Sequence, residues 1–233
     1  VIWVADDNTG DYASLSEALA AITDATSSNP YVIKIAPGDY TENSNVAMEN
    51  YVDVEGSGQN TTTINCACSS NNFDASGAVI SAGAITAEIR HLTINNTGSS
   101  NGASYGVYTE GVVDGSFSML HVTATATNSY NNTGVRNASS SPTMNNVTAT
   151  ATGGSFGTFG FGVSNNSSSP TMNNVTATAT GGSNNYGMYN FSSSSPTMNN
   201  VTATATGGTG SYGVRNSSSS PTMNNVTATA TDG

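Results

Sequence analysis

The sequence predicts an all-β fold: a right-handed parallel β-helix, a solenoid with three strands per coil, carrying an N-terminal capping strand and short helix. Three observations predict it. The phrase Ser-Pro-Thr-Met-Asn-Asn-Val-Thr-Ala-Thr-Ala-Thr is written four times, beginning at Ser141, Ser169, Ser195 and Ser220, with prolines 28, 26 and 25 residues apart. A period in the twenties denotes one supersecondary unit per repeat, stacked on its neighbours because no unit can bury its apolar face alone. Second, Val-Thr-Ala-Thr-Ala-Thr alternates with period two and is β-branched at every other position, which excludes a helical repeat. Third, each late unit divides into three extended pieces, residues 212–216, 220–223 and 226–231 in the last. The Asn224-Asn225 pair supplies a tight bend between two of them, and Gly207-Gly208 a closing loop.

The elements follow in order. Val1 to Val4 is a short apolar strand, and Asp6 to Gly10 is rich in turn formers. Ser14-Leu15-Ser16-Glu17 is a capping box that opens a helix with Leu15, Ala18, Leu19 and Ile22 on one face. Pro30 ends that region. Tyr31 to Ile35 is a strand, Pro37-Gly38-Asp39 a turn, and Tyr51 to Val54 a strand with alternating apolar residues. Ile89 to Ile94 and Met119 to Thr127 align with the unit starting at Met144, so coils precede the obvious repeats. One continuous domain is expected: a cap over 1–30, diverged coils over 31–115 and regular repeats of 25–28 residues over 116–233.

Composition narrows the function. Four basic residues and a net charge of -11 exclude nucleic acid as a partner, because phosphate neutralisation needs clustered Lys and Arg. Of the 15 carboxylates only Asp232 follows Asp114, and between Ser116 and Thr231 the formal charges are Arg136 and Arg215. That half reads as a scaffold or a binding surface. Low charge with abundant Ser, Thr, Asn and Gly is compatible with disorder, but disorder gives no reason to hold Val, Met, Ala and Tyr in register. No apolar run is long enough for a membrane span. The chain starts at Val1 with no leader, as a mature exported form or a cut chain would. Sequons at Asn60, Asn131, Asn137, Asn190 and Asn216 are expected by chance in so Asn- and Thr-rich a chain. The expected location is extracellular or at the cell surface.

Val4-Ala5-Asp6, Asp11-Tyr12, Leu15 to Ala20, Tyr31 to Ile35, Pro37 to Glu42 and Val54-Glu55-Gly56-Ser57-Gly58 resemble the start of the pectinesterase and pectin-lyase-like right-handed β-helix superfamily. The later Tyr-Gly-Val-x-Asn and Ser-Ser-Pro-Thr-Met-x-Asn-Val-Thr units resemble repeats of bacterial and archaeal surface proteins with that fold. The resemblance implies the fold. Pectinesterases carry glutamine-rich and Asp-Phe-containing catalytic motifs and a Trp-x-Arg-Pro-type signature. Here Gln59 is the one Gln, Trp3 the one Trp, and no coil after Asp114 holds an Asp before Asp232. Glu110 to Gly115, with Glu110 and Asp114, is the nearest approach to a carboxylate pair beside a strand. On that inventory no catalytic residue, cofactor or metal is expected, and the chain reads as non-enzymatic.

Candidate residues are therefore surface features. Thr123/Thr125/Thr127, Thr148/Thr150/Thr152, Thr176/Thr178/Thr180, Thr202/Thr204/Thr206 and Thr227/Thr229/Thr231 should stack into a flat lattice of methyls and hydroxyls. Such a lattice resembles ice-binding solenoids, although Thr also serves simply as a good strand residue. Tyr108, Arg136, Ser164, Tyr189 and Arg215 occupy equivalent outward positions, a stripe suited to glycans or to its own stacking. Asn146, Asn174, Asn200 and Asn225, with Asn50 and His121 as further candidates for the slot, form a ladder at the bend. Neither His91 nor His121 is read as a ligand. Cys66 and Cys68 are either buried free thiols or a strained local bridge. Without a cap after Thr231, the apolar end at Val226, Ala228 and Ala230 is expected to dock on Val1, Ile2, Trp3 and Val4 of a second copy. The functional expectation is a non-enzymatic extracellular structural protein, self-assembling head-to-tail or forming part of an adhesin. Ice binding and glycan binding stand as its alternatives.

Overall fold

Successive coils stack strand upon strand in parallel, at the spacing of about 4.8 Å that interstrand hydrogen bonds impose. The computed structural model describes residues 1–7, 9–99, 102–113, 115–153 and 159–232. Among them a 13-stranded sheet and a 7-stranded sheet wind into about seven coils. The large sheet begins with Ile2–Val4, Tyr31–Ile35, Val52–Gly56, Ala87–Asn96 and Phe117–Thr127, and ends with Thr222–Thr231. The second sheet runs from Val46–Ala47 through Ala103–Glu110 and Asn184–Phe191 to Gly210–Ser217.

Alternation decides what lies inside. Ile33, Val54, Ile89, Met119, Met144, Met172 and Met198 pair in one inward column and are fully buried, or nearly so. Val107, Val135, Val163 and Met188 form the facing column. Where Val-Thr-Ala-Thr-Ala-Thr passes, the interior is thin. A Cβ on Gly162 would lie 2.5 Å from both the Thr178 N and the Gly187 carbonyl oxygen, so the two sheets approach too closely there for any side chain. This close approach explains both the alanines of one strand and the glycine of the other.

The large sheet bends at a residue in the left-handed region, in one column of the solenoid. His91, His121, Asn146, Asn174, Asn200 and Asn225 hold it with φ between 52° and 56°. Asn tolerates this conformation because its side chain bonds locally. Here each amide donates to the next: Asn174 to Asn146 (3.1 Å), Asn200 to Asn174 (3.2 Å) and Asn225 to Asn200 (2.7 Å). Asn146 meets His121 Nε2 at 3.2 Å, which joins the earlier coil to the same slot. Asn50 lies elsewhere: it precedes a strand and accepts from Thr86 N, so it is not part of the ladder.

A second ladder runs inside the solenoid. Asn137 donates to Asn165 (2.8 Å), Asn165 to Asn190 (2.7 Å) and Asn190 to Asn216 (2.8 Å), with the first three side chains fully buried. Buried amides are tolerated only when paired, and this pairing is satisfied solely when coils stack in register.

The N-terminal end is closed by its own chain. The helix Leu15–Ala21 is capped by Ser14, whose hydroxyl accepts from Glu17 N, and it buries Leu15, Ala18 and Leu19. The buried Glu42 carboxylate accepts from Leu15 N (2.9 Å), Ser16 N (3.3 Å) and Ser16 Oγ (2.6 Å), which fixes the helix start on the first coil. The Trp3 carbonyl oxygen accepts from Asp11 N and Tyr12 N, and Trp3 N donates to Asp11 Oδ2. The outer edge of Ile2–Val4 is thus already bonded, and Val4 is fully buried. A second copy expected to dock on Val1 to Val4 would therefore meet the exposed side chains of Val1 and Trp3 and not a free strand edge. At the other end Met223 is 51% exposed, Ala228 and Ala230 are exposed, and Val226 is half-buried against the core. Cys66 and Cys68 form a disulfide, with Cα atoms 5.3 Å apart.

The two Asn ladders should respond differently to substitution. Asn165→Ala orphans buried partners on both sides and is expected to cost about 2–4 kcal/mol in denaturant unfolding. Asn174→Gly keeps the left-handed bend and should cost less than about 1 kcal/mol. Equal losses would show that the inner ladder does not hold the register.

Candidate active site

The outward face of the first coils gathers the salt bridges found among the described residues. Alternation turns Asp53 and Glu55 outward on Val52–Gly56, either side of buried Val54, and Glu88 and Arg90 outward on Ala87–Asn96, either side of buried Ile89. Register then puts Lys34 beside Glu55, Glu55 beside Arg90, and Ser118 beside Glu88.

Arg90 is the hub. Its Nη1 donates to Glu88 Oε1 (2.8 Å) and Asp53 Oδ2 (3.3 Å), and its Nη2 to Glu55 Oε2 (2.9 Å). Lys34 Nζ lies 3.6 Å from Glu55 Oε1. Ser118 Oγ donates to Glu88 Oε2 (3.0 Å), and Glu88 N donates to Asp53 Oδ1 (2.8 Å). The Arg90 side chain is 20% exposed, and Asp53, at 36%, is the most open of the three carboxylates. The hydrogen bond from Arg90 holds the Glu55 carboxyl below its usual 4.5, against a smaller opposing effect of burial. Three carboxylates against two cations leave the cluster one unit negative.

Such an arrangement offers an ionised carboxylate as a base beside a guanidinium able to stabilise developing negative charge. Among the described residues no group of His, Cys, Asp and Glu is suited to a metal ion.

The surface features named from sequence lie in register but apart from this cluster. Thr123, Thr148, Thr176, Thr202 and Thr227 share a column, as do Thr125, Thr150, Thr178, Thr204 and Thr229, and Thr127, Thr152, Thr180, Thr206 and Thr231. The first column continues back through Thr93 to Thr63, the second through Asn95 to Asn65. Gln59 crosses this face and donates to Thr123 Oγ1 at 3.3 Å, so the lattice is covered at one end.

Tyr108, Arg136, Ser164, Tyr189 and Arg215 align on the second sheet. Beside them Tyr186 and Tyr212 stack at 5.5 Å and 3° between planes, and Phe161 and Tyr186 at 5.1 Å and 9°. The Arg215 guanidinium lies 5.1–5.6 Å from the centroids of Tyr186, Tyr189 and Tyr212. The rings turn their faces to one another. Burial pushes the Tyr105 hydroxyl, behind this stripe, up to about 12. Asp114 lies outside the described residues; Glu110 is exposed at a strand end.

The Pectinesterase family profile matches residues 1–105, a stretch that contains Lys34, Asp53, Glu55, Glu88 and Arg90. The chain has the pectin-lyase-like right-handed β-helix fold. Among solved structures, carrot pectin methylesterase matches with a TM-score of 0.55 and 18% identity, over 90% of this chain and 63% of that one. A pectin methylesterase mutant in complex with a hexasaccharide matches with a TM-score of 0.50 and 14% identity, over 94% and 66%. The chain thus spans just under two thirds of the length of these enzymes. No curated protein matches it in sequence.

These findings overturn the expectation of a non-enzymatic structural protein, together with its ice-binding and adhesin alternatives: the matches point to an enzyme. The expectation rested on the missing glutamine-rich, Asp-Phe and Trp-x-Arg-Pro motifs and on the bare late coils. It gave no weight to the early coils, where Asp53 and Glu55 reach Arg90 across 37 and 35 residues, one coil away. Charged residues at alternate positions of two aligned strands were the available signal.

Acid should loosen this corner. Glu55 has a depressed folded pKa, so its contribution is complete above the unfolded value and is lost as pH falls through the folded one. Denaturant midpoints should decline below about pH 4.5. In Arg90→Met the decline should be shallower from a lower starting stability; parallel curves would show that the pair contributes nothing.

Proposed function

We propose that the chain is an exported carbohydrate esterase of pectinesterase type, acting on methyl-esterified uronate chains, with the Arg90 cluster as its reaction centre. The observation that carries this reading is the charge cluster itself, standing on an open sheet face within the stretch that matches the Pectinesterase profile. The names of the structural relatives support the substrate class. The Cys66–Cys68 disulfide supports export, since such bonds persist in oxidising compartments.

In the proposed reaction water attacks the ester carbonyl carbon, the C–O bond to the methoxy group breaks, and methanol and a free carboxylate leave. Asp53 takes the proton of the attacking water. Arg90 faces the oxyanion, Asp53 returns its proton to the leaving methoxide, which departs as methanol, and the new carboxylic acid loses its own proton to solvent. Glu55 and Glu88 hold Arg90 in place, with Ser118 fixing the far oxygen of Glu88.

Methanol release from highly methyl-esterified polygalacturonate tests this reading. The wild-type chain should release methanol, Asp53→Asn should fall by about 100-fold or more, and Thr229→Val on the remote threonine face should match wild type. Release absent from the wild type, or undiminished in Asp53→Asn, would overturn it.

A further inference from the structure

Trp3 is the one tryptophan of the chain, and it is 52% exposed at an outward position. Exposed apolar residues scattered singly need no explanation. This one is not scattered. Strand pairing sets Trp3 beside Lys34, Lys34 beside Glu55 and Glu55 beside Arg90, one outward column running over four coils. Three coil steps, about 14 Å of backbone, separate the Trp3 position from the Arg90 position. Its strand is held on both edges, by Tyr31–Ile35 on one side and by Asp11 and Tyr12 on the other. The ring is therefore carried by a fixed backbone at the margin of the charge cluster. Lys34 Nζ lies 6.0 Å from the ring centroid while pairing with Glu55.

We infer that Trp3 is a sugar-stacking subsite for an uncharged pyranose ring, placed to hold a glycan whose neighbouring rings lie across Lys34, Glu55 and Arg90. The inference rests on the pectinesterase-type reading for the direction of the chain. Its chemistry comes from the column. An open aromatic side chain offers apolar area to the C–H face of a sugar, and the adjoining carboxylates accept from its hydroxyls. The surrounding charge selects against acid. Lys34 is committed to Glu55, the cluster is one unit negative and the whole chain carries -11, so a free uronate meets net repulsion that its methyl ester avoids. The subsite thus favours esterified over de-esterified rings and assists release of the acidic product. In the aromatic stripe of the second sheet, by contrast, Phe161 and Tyr186 have stacked neighbours on their ring faces.

Because Trp3 is the one tryptophan, its fluorescence reports the subsite directly. Titration of the full chain with a methyl-esterified oligogalacturonide should give a saturable shift in emission. The de-esterified oligomer should bind several-fold more weakly, with the gap narrowing as salt rises. By calorimetry, Trp3→Ala should bind the esterified oligomer about two- to tenfold more weakly. An unchanged thermal melt in that variant separates lost stacking from lost fold. Asp53→Asn should lose methanol release and keep the fluorescence response, so catalysis and stacking can fail independently. No emission change with the esterified oligomer, preference for the free acid, or unaltered affinity in folded Trp3→Ala would each overturn the subsite.

Discussion

Every coil of this protein depends on one constraint: a strand must lie on its equivalent in the next coil, residue on residue. Backbone hydrogen bonds set the step, but they alone would tolerate a slip. The side chains do not. A one-residue slip in the large sheet would expose the Met and Ala columns and bury threonines. A slip in the second sheet would break the inner Asn137–Asn165–Asn190–Asn216 ladder, which is satisfied only between equivalent positions. The left-handed bend residues add a third lock, because their geometry recurs once per coil.

The same constraint builds the candidate active site. Outward positions have no packing role, so whatever side chains stand there are brought together by register alone. In the late coils those positions hold Thr and Asn, and the result is a neutral lattice. In the early coils they hold Trp3, Lys34, Asp53, Glu55, Glu88 and Arg90, and the result is a compact charged centre. One scaffold therefore carries two surfaces of opposite chemical character without any change in its core.

Much of the fold was legible. Alternation in Val-Thr-Ala-Thr-Ala-Thr and the repeated proline spacing revealed strands and coils, and the capping box at Ser14 marked the helix. The threonine columns and the Tyr108–Arg215 stripe followed from aligning repeats. What stayed hidden depended on distance through space. Glu42 bonding to the helix start, Gln59 crossing the threonine face and Arg90 drawing in three carboxylates all join residues from different coils. The earlier coils have diverged, so the alignment that exposes such contacts was weakest where the charges lie.

The sequence by itself determined the period, the identity of the strands and which face of each is apolar, because these are local properties of neighbouring residues. Only the tertiary structure decided that the N-terminal edge is closed by Asp11 and Tyr12, that glycine and alanine face each other across a thin interior, and that Asp53, Glu55, Glu88 and Arg90 meet. Those outcomes turn on the offset between one coil and the next. That offset is set by how many residues each loop spends before the chain returns to the sheet, and the varying spacing of the repeats does not state it.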